Sequence, residues 1–274
     1  MAYDACVPLS AFPANATIDL LHQVEALARQ AGALILQVYD TPFEVRGKPD
    51  ASPVTEADEA AERLIVPALQ ALSPHPVVAE EAAARGEVPT VGAAFWLVDP
   101  LDGTREFVAR NGEFTVNIAL IDNGRPVLGV VYLPVLDVLY AGLQGQGAWC
   151  EREGLRQRIQ CRAMPADGAT VACSRSHGDG ALLDEWLKGE PVAGRQEAGS
   201  SLKFGLLAEG RADLYPRFGR TMEWDTAAGH AVLAAAGGSV CDVAGQPLRY
   251  GKPGFENPHF IARGAAASAS AGTG

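Results

Sequence analysis

The sequence predicts a layered α/β chain of two subdomains with a cleft between them. Three observations carry that expectation. Two apolar stripes at helical spacing open the chain, strand-like segments around a hairpin turn follow, and the second half alternates strands with helices.

The first helix is expected over Thr17–Tyr39, where Leu20, Leu21, Val24, Leu27, Ala28, Ala31, Leu34, Ile35 and Val38 fall on one face. A Gly/Pro-bearing loop, Arg46 to Pro53, separates it from a second helix over Thr55–Leu72. Thr55 and Asp58 match a capping box, and Pro67 is expected to weaken or kink the later half. Strands are expected at His75–Ala79 and Ala94–Val98. A meander then begins at Phe114, with Asn123-Gly124 as a hairpin signal between two β-rich runs. Further strands are expected over Leu136–Ala141, Gly147–Cys150, Gln157–Arg162 and Thr170–Ser174. Helices are expected over Gly180–Leu187 and Ser200–Glu209, the latter ended by Gly210. The segment Ala212–Phe218 reads as a strand, and Glu223–Ala236 as a helix closed by Gly237-Gly238. No internal repeat is found. We place the subdomains at 1–165 and 166–262, with a low-complexity, disordered tail at 263–274.

Composition narrows the function. The chain has 274 residues with 22 basic and 33 acidic side chains, a net charge of −11, and 48% hydrophobic residues. That balance describes a globular protein and excludes a basic groove for polymeric nucleic acid. No run reaches the roughly 20 apolar residues of a membrane span. Met1–Leu20 lacks the basic front of a secretory signal. Cys6, Cys150, Cys161, Cys173 and Cys241 form no C-x-x-C pair, which suits reduced thiols in a cytoplasm.

The chemically loudest stretch is W-L-V-D-P-L-D-G-T-R-E-F, Trp96 to Phe107. A strand is expected to deliver Asp99 to its end, and Pro100 and Gly103 to turn the chain so that Asp102 and Thr104 point back. Two carboxylates placed this way, with the Leu101 carbonyl between them, suit a hard divalent cation such as Mg²⁺. The competing interpretation is a turn in which Asp99 caps a loop and Gly103 supplies positive φ. Glu80-Glu81 at another strand end, and Asp58 and Asp225 near helix starts, shift the balance toward a multi-ion site, although helix-start acids also serve as caps. The two acids stand three residues apart, which disfavours the D-x-D-G-T chemistry of aspartyl-phosphate formation.

Several ordered strings resemble the inositol-monophosphatase superfamily: D-A-S-P-V-T-E-A-D (50–58), V-V-A-E-E (77–81), D-P-L-D-G-T-R-E-F (99–107) and E-W-D-T-A-A-G-H (223–230). N-G-E-F-T-V-N-I-A-L-I-D (111–122), S-R-S-H (174–177), G-S-S-L-K-F (199–204) and Y-P-R-F-G (215–219) are similar to its 3′(2′),5′-bisphosphate nucleotidases of the CysQ type. The resemblance spans about Leu20 to Ile261. It implies an α/β/α/β/α sandwich and Mg²⁺-dependent removal of the 3′-phosphate of adenosine 3′,5′-bisphosphate (PAP), with 3′-phosphoadenylyl sulfate (PAPS) or inositol phosphates accepted by some relatives. It also implies lithium sensitivity and a place in sulfur metabolism. By motif, Glu80, Asp99 and the Leu101 carbonyl hold one Mg²⁺, and Asp99, Asp102 and Asp225 a second. Asp58 stands near a third ion and the attacking water, with Thr104 orienting that water and Glu80 assisting. The Gly103 and Thr104 N–H groups face the phosphate.

On the nucleotide side the motifs supply Ser174, His177, Gly199, Ser200, Ser201, Lys203 and Arg217. Lys203 and Arg217 are candidates for the second phosphate; the plain alternative for Lys203 is a solvated helix face. His230, Trp96 and Trp224 are read as packing residues. Ala79, Arg105 and Met222-Glu223 depart from the pattern, and Glu223 adds charge near Asp225. The expected partner is a small nucleotide bisphosphate bound by a monomer or homodimer, in the cytoplasm or peripheral to the inner membrane. The rivals are an inositol monophosphatase or fructose-bisphosphatase, and, outside enzymes, a catalytically idle nucleotide or metal sensor.

Overall fold

Two amphipathic helices lie side by side at one face of the molecule, in a computed structural model that describes residues 16–47, 53–175 and 180–265. Helix α1 (Ile18–Tyr39) starts where the Thr17 hydroxyl accepts from the Leu20 N–H at 3.1 Å. A two-residue ladder, β1 (Arg46–Gly47) with β2 (Pro53–Val54), leads to α2 (Glu56–Leu72). The expected capping box is formed, the Thr55 N–H donating to Asp58 Oδ2 at 2.8 Å. The helix runs on through Pro67 without ending. Proline forfeits one hydrogen bond there, and packing of Ile65 and Leu69 into the core outweighs it.

A seven-stranded sheet follows in chain order: β3 (Val77–Ala79), then after helix α3 (Glu80–Ala84) β4 (Ala94–Asp102), then after helix α4 (Thr104–Val108) β5 (Thr115–Asp122), β6 (Arg125–Leu133), β7 (Val138–Leu143), β8 (Gly147–Arg152) and β9 (Leu155–Ile159). Only β3 and β4 pair in parallel. Asn123 (φ 49°) and Gly124 (φ 72°) make the two-residue turn between β5 and β6, both in the left-handed region that a type I′ hairpin requires.

The second half forms β10 (Ala169–Cys173), α5 (Gly180–Leu187), β11 (Val192–Glu197), α6 (Leu202–Ala208), β12 (Leu214–Arg217), α7 (Glu223–Ala235), β13 (Ser239–Asp242) and β14 (Phe260–Arg263). Its five strands lie in the order β11-β10-β12-β14-β13. Alternating side chains sort the layers. Trp96, Val98, Ile118 and Leu120 face α1 and α2, while Phe95, Leu97, Ala119 and Ile121 face a central cluster with Phe204, Ala228 and Val232. That cluster continues into Tyr215, Phe260 and Ala262 of the second sheet, whose far face packs Val171 and Leu214 on Leu183 and Leu187 of α5. The result is the expected α/β/α/β/α sandwich.

The structure departs from the sequence reading at short elements. Strands β11, β13 and β14 and helices α3 and α4 were not anticipated. They hold four to six residues each, too few to display a period. The strand expected at Gln157–Arg162 sits at Leu155–Ile159, and α6 begins at Leu202, not Ser200. The disorder expected from 263 does not hold at its start, since Arg263 ends β14 and Ala265 bridges Ala163; residues 266–274 lie outside the described residues. Cys150 and Cys161 are buried and Cys173 and Cys241 half-buried, and Cys6 lies outside the described residues.

Close approach of α7 to the large sheet depends on absent side chains. A Cβ on Gly142 of β7 would stand 2.5 Å from Val232 Cα and 2.9 Å from Ala231 O, a backbone clash that no rotamer change relieves. Gly142→Val is therefore expected to lower stability by about 1–3 kcal/mol or more in chemical denaturation. Gly194→Ala, at a position with open space, is expected to stay within about 0.5 kcal/mol of the parent.

Candidate metal centre and phosphate site

Strand β4 carries the first ligand pair across an irregularity. Asp99 pairs with Asn117 and Asp102 with Thr115, so three steps on β4 oppose two on β5, the signature of a β-bulge. The strand thus runs to Asp102 and bends between the two acids, where the sequence suggested that it stops at Asp99. Pro100 within the bulge needs no ladder donor, and the Leu101 N–H donates to Asp99 Oδ1 at 3.0 Å. Gly103 then adopts φ 89°, and α4 begins at Thr104. The bulge aims Asp99, the Leu101 carbonyl, Asp102 and Thr104 toward one cleft wall.

Three helix starts complete the arrangement. Asp58 caps α2 through Oδ2 and receives the Thr104 hydroxyl on Oδ1 at 3.3 Å; that hydroxyl also lies 3.4 Å from the Leu101 carbonyl. Glu80 opens α3. Buried Glu62, one helical turn past Asp58, fixes that start by accepting the Glu81 N–H at 2.8 Å and the Ala82 N–H at 3.3 Å. Asp225 occupies the third position of α7, its Oδ2 accepting the Met222 N–H at 2.8 Å. Glu223, flagged in the sequence for its charge, is sealed by the Gly251 and Lys252 N–H groups at 2.7 and 2.9 Å. It is paired with the Lys252 ammonium at 2.6 Å.

The electrostatics bind these groups into one site. Burial holds the Asp99 carboxyl well above the usual carboxylate range, and the negative charges of Glu80, Asp102 and Asp225 push it further. Asp225 is raised as well, by burial first and then by Asp102 and Glu80, with the Met222 N–H and Arg217 pulling the other way. The acids face one another without closing into a cage: among the described residues no three His, Cys, Asp or Glu groups stand at ligand spacing. The donor set fits Mg²⁺, since every group offered is a hard oxygen. Among the described residues His230 offers no nitrogen ligand here, being buried on Tyr250.

The expected substrate-side residues are distributed unevenly. Ser200 Oγ lies 2.6 Å from Asp102 Oδ2, and Ser201 Oγ donates to the Asp225 carbonyl at 2.9 Å. The Gly199 N–H donates to Glu113 Oε2 at 2.7 Å, and Arg175 pairs with the same carboxylate. Lys203 is buried, not solvated. Its ammonium donates to the Ser200 and Ala198 carbonyls at 2.7 and 3.1 Å and stands over the Tyr215 ring. Burial brings its pKa down to about 8. Arg217 is buried on β12, reaching the Arg220 carbonyl at 3.4 Å, and Ser174 is half-buried at the end of β10. His177 lies outside the described residues. Sequence reasoning missed Glu62, Glu113, Thr115 and Asn117. The signals were present: Glu62 shares Asp58's helix face at i+4, and Thr115 and Asn117 alternate on one strand face.

Comparison with known proteins gives the family of the chain. The inositol monophosphatase family matches residues 19–271. The 3′(2′),5′-bisphosphate nucleotidase CysQ of Escherichia coli K12 is 54% identical over 245 residues, covering 88% of this chain and 98% of that protein. CysQ of Haemophilus influenzae is 34% identical over 252 residues, with 88% and 91% covered. Among solved structures, CysQ from Bacteroides thetaiotaomicron superposes with a TM-score of 0.75 at 39% identity, covering 90% of this chain and 97% of that one. An inositol monophosphatase from Anabaena superposes with a TM-score of 0.72 at 26% identity, covering 90% and 91%.

His230 supplies a pH test away from the acids. Its Nδ1 lies 3.0 Å from the Tyr250 hydroxyl, and burial brings its pKa down from 6.5 to about 3. The unfolded chain therefore binds a proton that the native state refuses between pH 6.5 and about 3, and His230 withdraws stability as pH falls through that window. His230→Gln is expected to flatten this acid-side slope in denaturation measured from pH 7 to 4, relative to the parent.

Proposed function

The chain belongs to the inositol monophosphatase family, and from that premise we propose that it is a Mg²⁺-dependent 3′(2′),5′-bisphosphate nucleotidase removing the 3′-phosphate of PAP. One observation carries the metal-dependent half of this reading: Asp99 is sealed from solvent among Glu80, Asp102 and Asp225, a charge arrangement that a divalent cation relieves. The choice of nucleotide rests on 54% identity across almost the whole of a protein named for that activity.

Glu80, Asp99 and the Leu101 carbonyl would hold one ion, Asp99, Asp102 and Asp225 a second, and Asp58 would stand at a third. The bound ions supply Lewis-acid polarisation of the phosphate and a more acidic water. Thr104, whose hydroxyl donates to Asp58 Oδ1 at 3.3 Å, would orient the attacking water by accepting a hydrogen bond from it. Glu80, beside Asp99, would share in orienting it. The Gly103 and Thr104 N–H groups at the start of α4 are donors to the phosphate oxygens. Arg217 meets the second phosphate, while Lys203 shapes the loop of Ala198–Ser200 by holding its carbonyls. Residues 1–165 contribute most metal ligands and 166–262 the nucleotide contacts. Among the described residues no helix is long and apolar enough to cross a membrane; we place the enzyme in the cytoplasm.

Phosphate release from PAP, PAPS and inositol 1-phosphate at matched concentration tests the assignment. PAP is expected to be hydrolysed fastest. Preference for inositol 1-phosphate gives the family's other activity, and release from none of them makes the chain a sensor. Asp102→Asn is expected to abolish turnover with the fold intact. Thr104→Ala is expected to lower kcat by about 10²–10⁴ while Mg²⁺ still raises Tm.

A further inference from the structure

We propose that Ser200 and Ser201 form a positioning clamp that sets Asp102 and Asp225 for the divalent cation, acting through these two acids and not through the substrate. The proposal rests on the metal-dependent reading above and deepens it. Ser200 is one of the few non-glycine residues with positive φ, at 51°, a conformation that persists where surroundings enforce it. Its hydroxyl lies 2.6 Å from Asp102 Oδ2, 3.1 Å from the Asp102 carbonyl and 2.6 Å from Thr115 Oγ1.

The protons can be assigned. A carboxylate only accepts, so Ser200 donates to Asp102 Oδ2 and takes the Thr115 proton in return. Asn117 spends its two amide protons on Asp102 Oδ2 at 3.3 Å and Ser201 Oγ at 2.9 Å, which turns the Ser201 proton onto the Asp225 carbonyl at 2.9 Å. The Ser200 hydroxyl and the Asn117 amide both donate to Asp102 Oδ2, which leaves Oδ1 as the oxygen that would meet a cation.

The amide orientation has a cost that the fold retains. Asn117 Oδ1 is buried with no hydrogen-bond partner. Turning the amide over would place that oxygen against Asp102 Oδ2 and forfeit both amide donations, so Asp102 and Ser201 hold the orientation seen. The loop is itself braced, with Lys203 on the Ser200 carbonyl and Glu113 on the Gly199 N–H. The clamp thereby ties β4 and β5 of the first sheet to the starts of α6 and α7.

Titration of Mg²⁺ into substrate-free Ser200→Gly and Ser201→Ala, with the parent alongside, tests the clamp. Glycine accepts φ 51° without strain, so the first variant removes only the hydroxyl. Each variant is expected to bind Mg²⁺ about 10- to 100-fold more weakly, with KM for PAP at saturating Mg²⁺ within about twofold of the parent. Unchanged Mg²⁺ affinity with a raised KM would make both serines substrate contacts and overturn the clamp alone. A parent chain that binds no Mg²⁺ overturns the metal-dependent reading with it.

Discussion

Repulsion among buried carboxylates is the constraint on which the rest of the structure depends. Asp99 is shut away from water with Glu80, Asp102 and Asp225 as its principal charged neighbours, and all of them carry its own sign. A fold does not gather such a set for stability, since each ionised member raises the free energy of the others. The arrangement makes sense as a receptacle for positive charge. The acids are individually restrained for that purpose: Asp99 by the Leu101 N–H, Asp225 by the Met222 N–H, and Asp58 by the Thr55 N–H.

The scaffold reconciles this local cost with a stable molecule. Ligand candidates between positions 58 and 225 come from two helix starts, a bulged strand and a third helix start; α2 packs in one apolar cluster, α7 in another, and β4 lends side chains to both. Helix α7 is central. It packs against both sheets, its approach to the first requires Gly142, and its opening turn carries Asp225 and the Glu223–Lys252 pair. The layers thus fix the ends of elements, and function is placed at those ends.

Much of this was legible in the chain. The long helices, the Asn123-Gly124 hairpin and the capping role of Asp58 follow from period, turn chemistry and capping rules that act within a few residues. The motif strings brought the five acids and Thr104 into view. What escaped were features set by distant partners. The bulge at Asp99–Asp102 depends on register with β5, and a local pattern suggested a stop there. Lys203 read as a phosphate contact, with a solvated helix face as its alternative, because nothing nearby in sequence announces that Tyr215 and two loop carbonyls enclose it. Ser200 and Ser201 read as phosphate contacts, and only the tertiary structure shows Ser200 on the Asp102 carboxylate and Ser201 on the Asp225 main-chain carbonyl. Strands β11, β13 and β14 were too short to carry a period.

The most direct test is calorimetric titration of Mg²⁺ into the substrate-free protein at pH 5 in buffers of different ionisation enthalpy. Carboxyls held above their ordinary range must give up protons when a cation binds them, so the account predicts net proton release on binding. Binding without proton release, or no binding, would contradict a cation site built on repelling, buried acids.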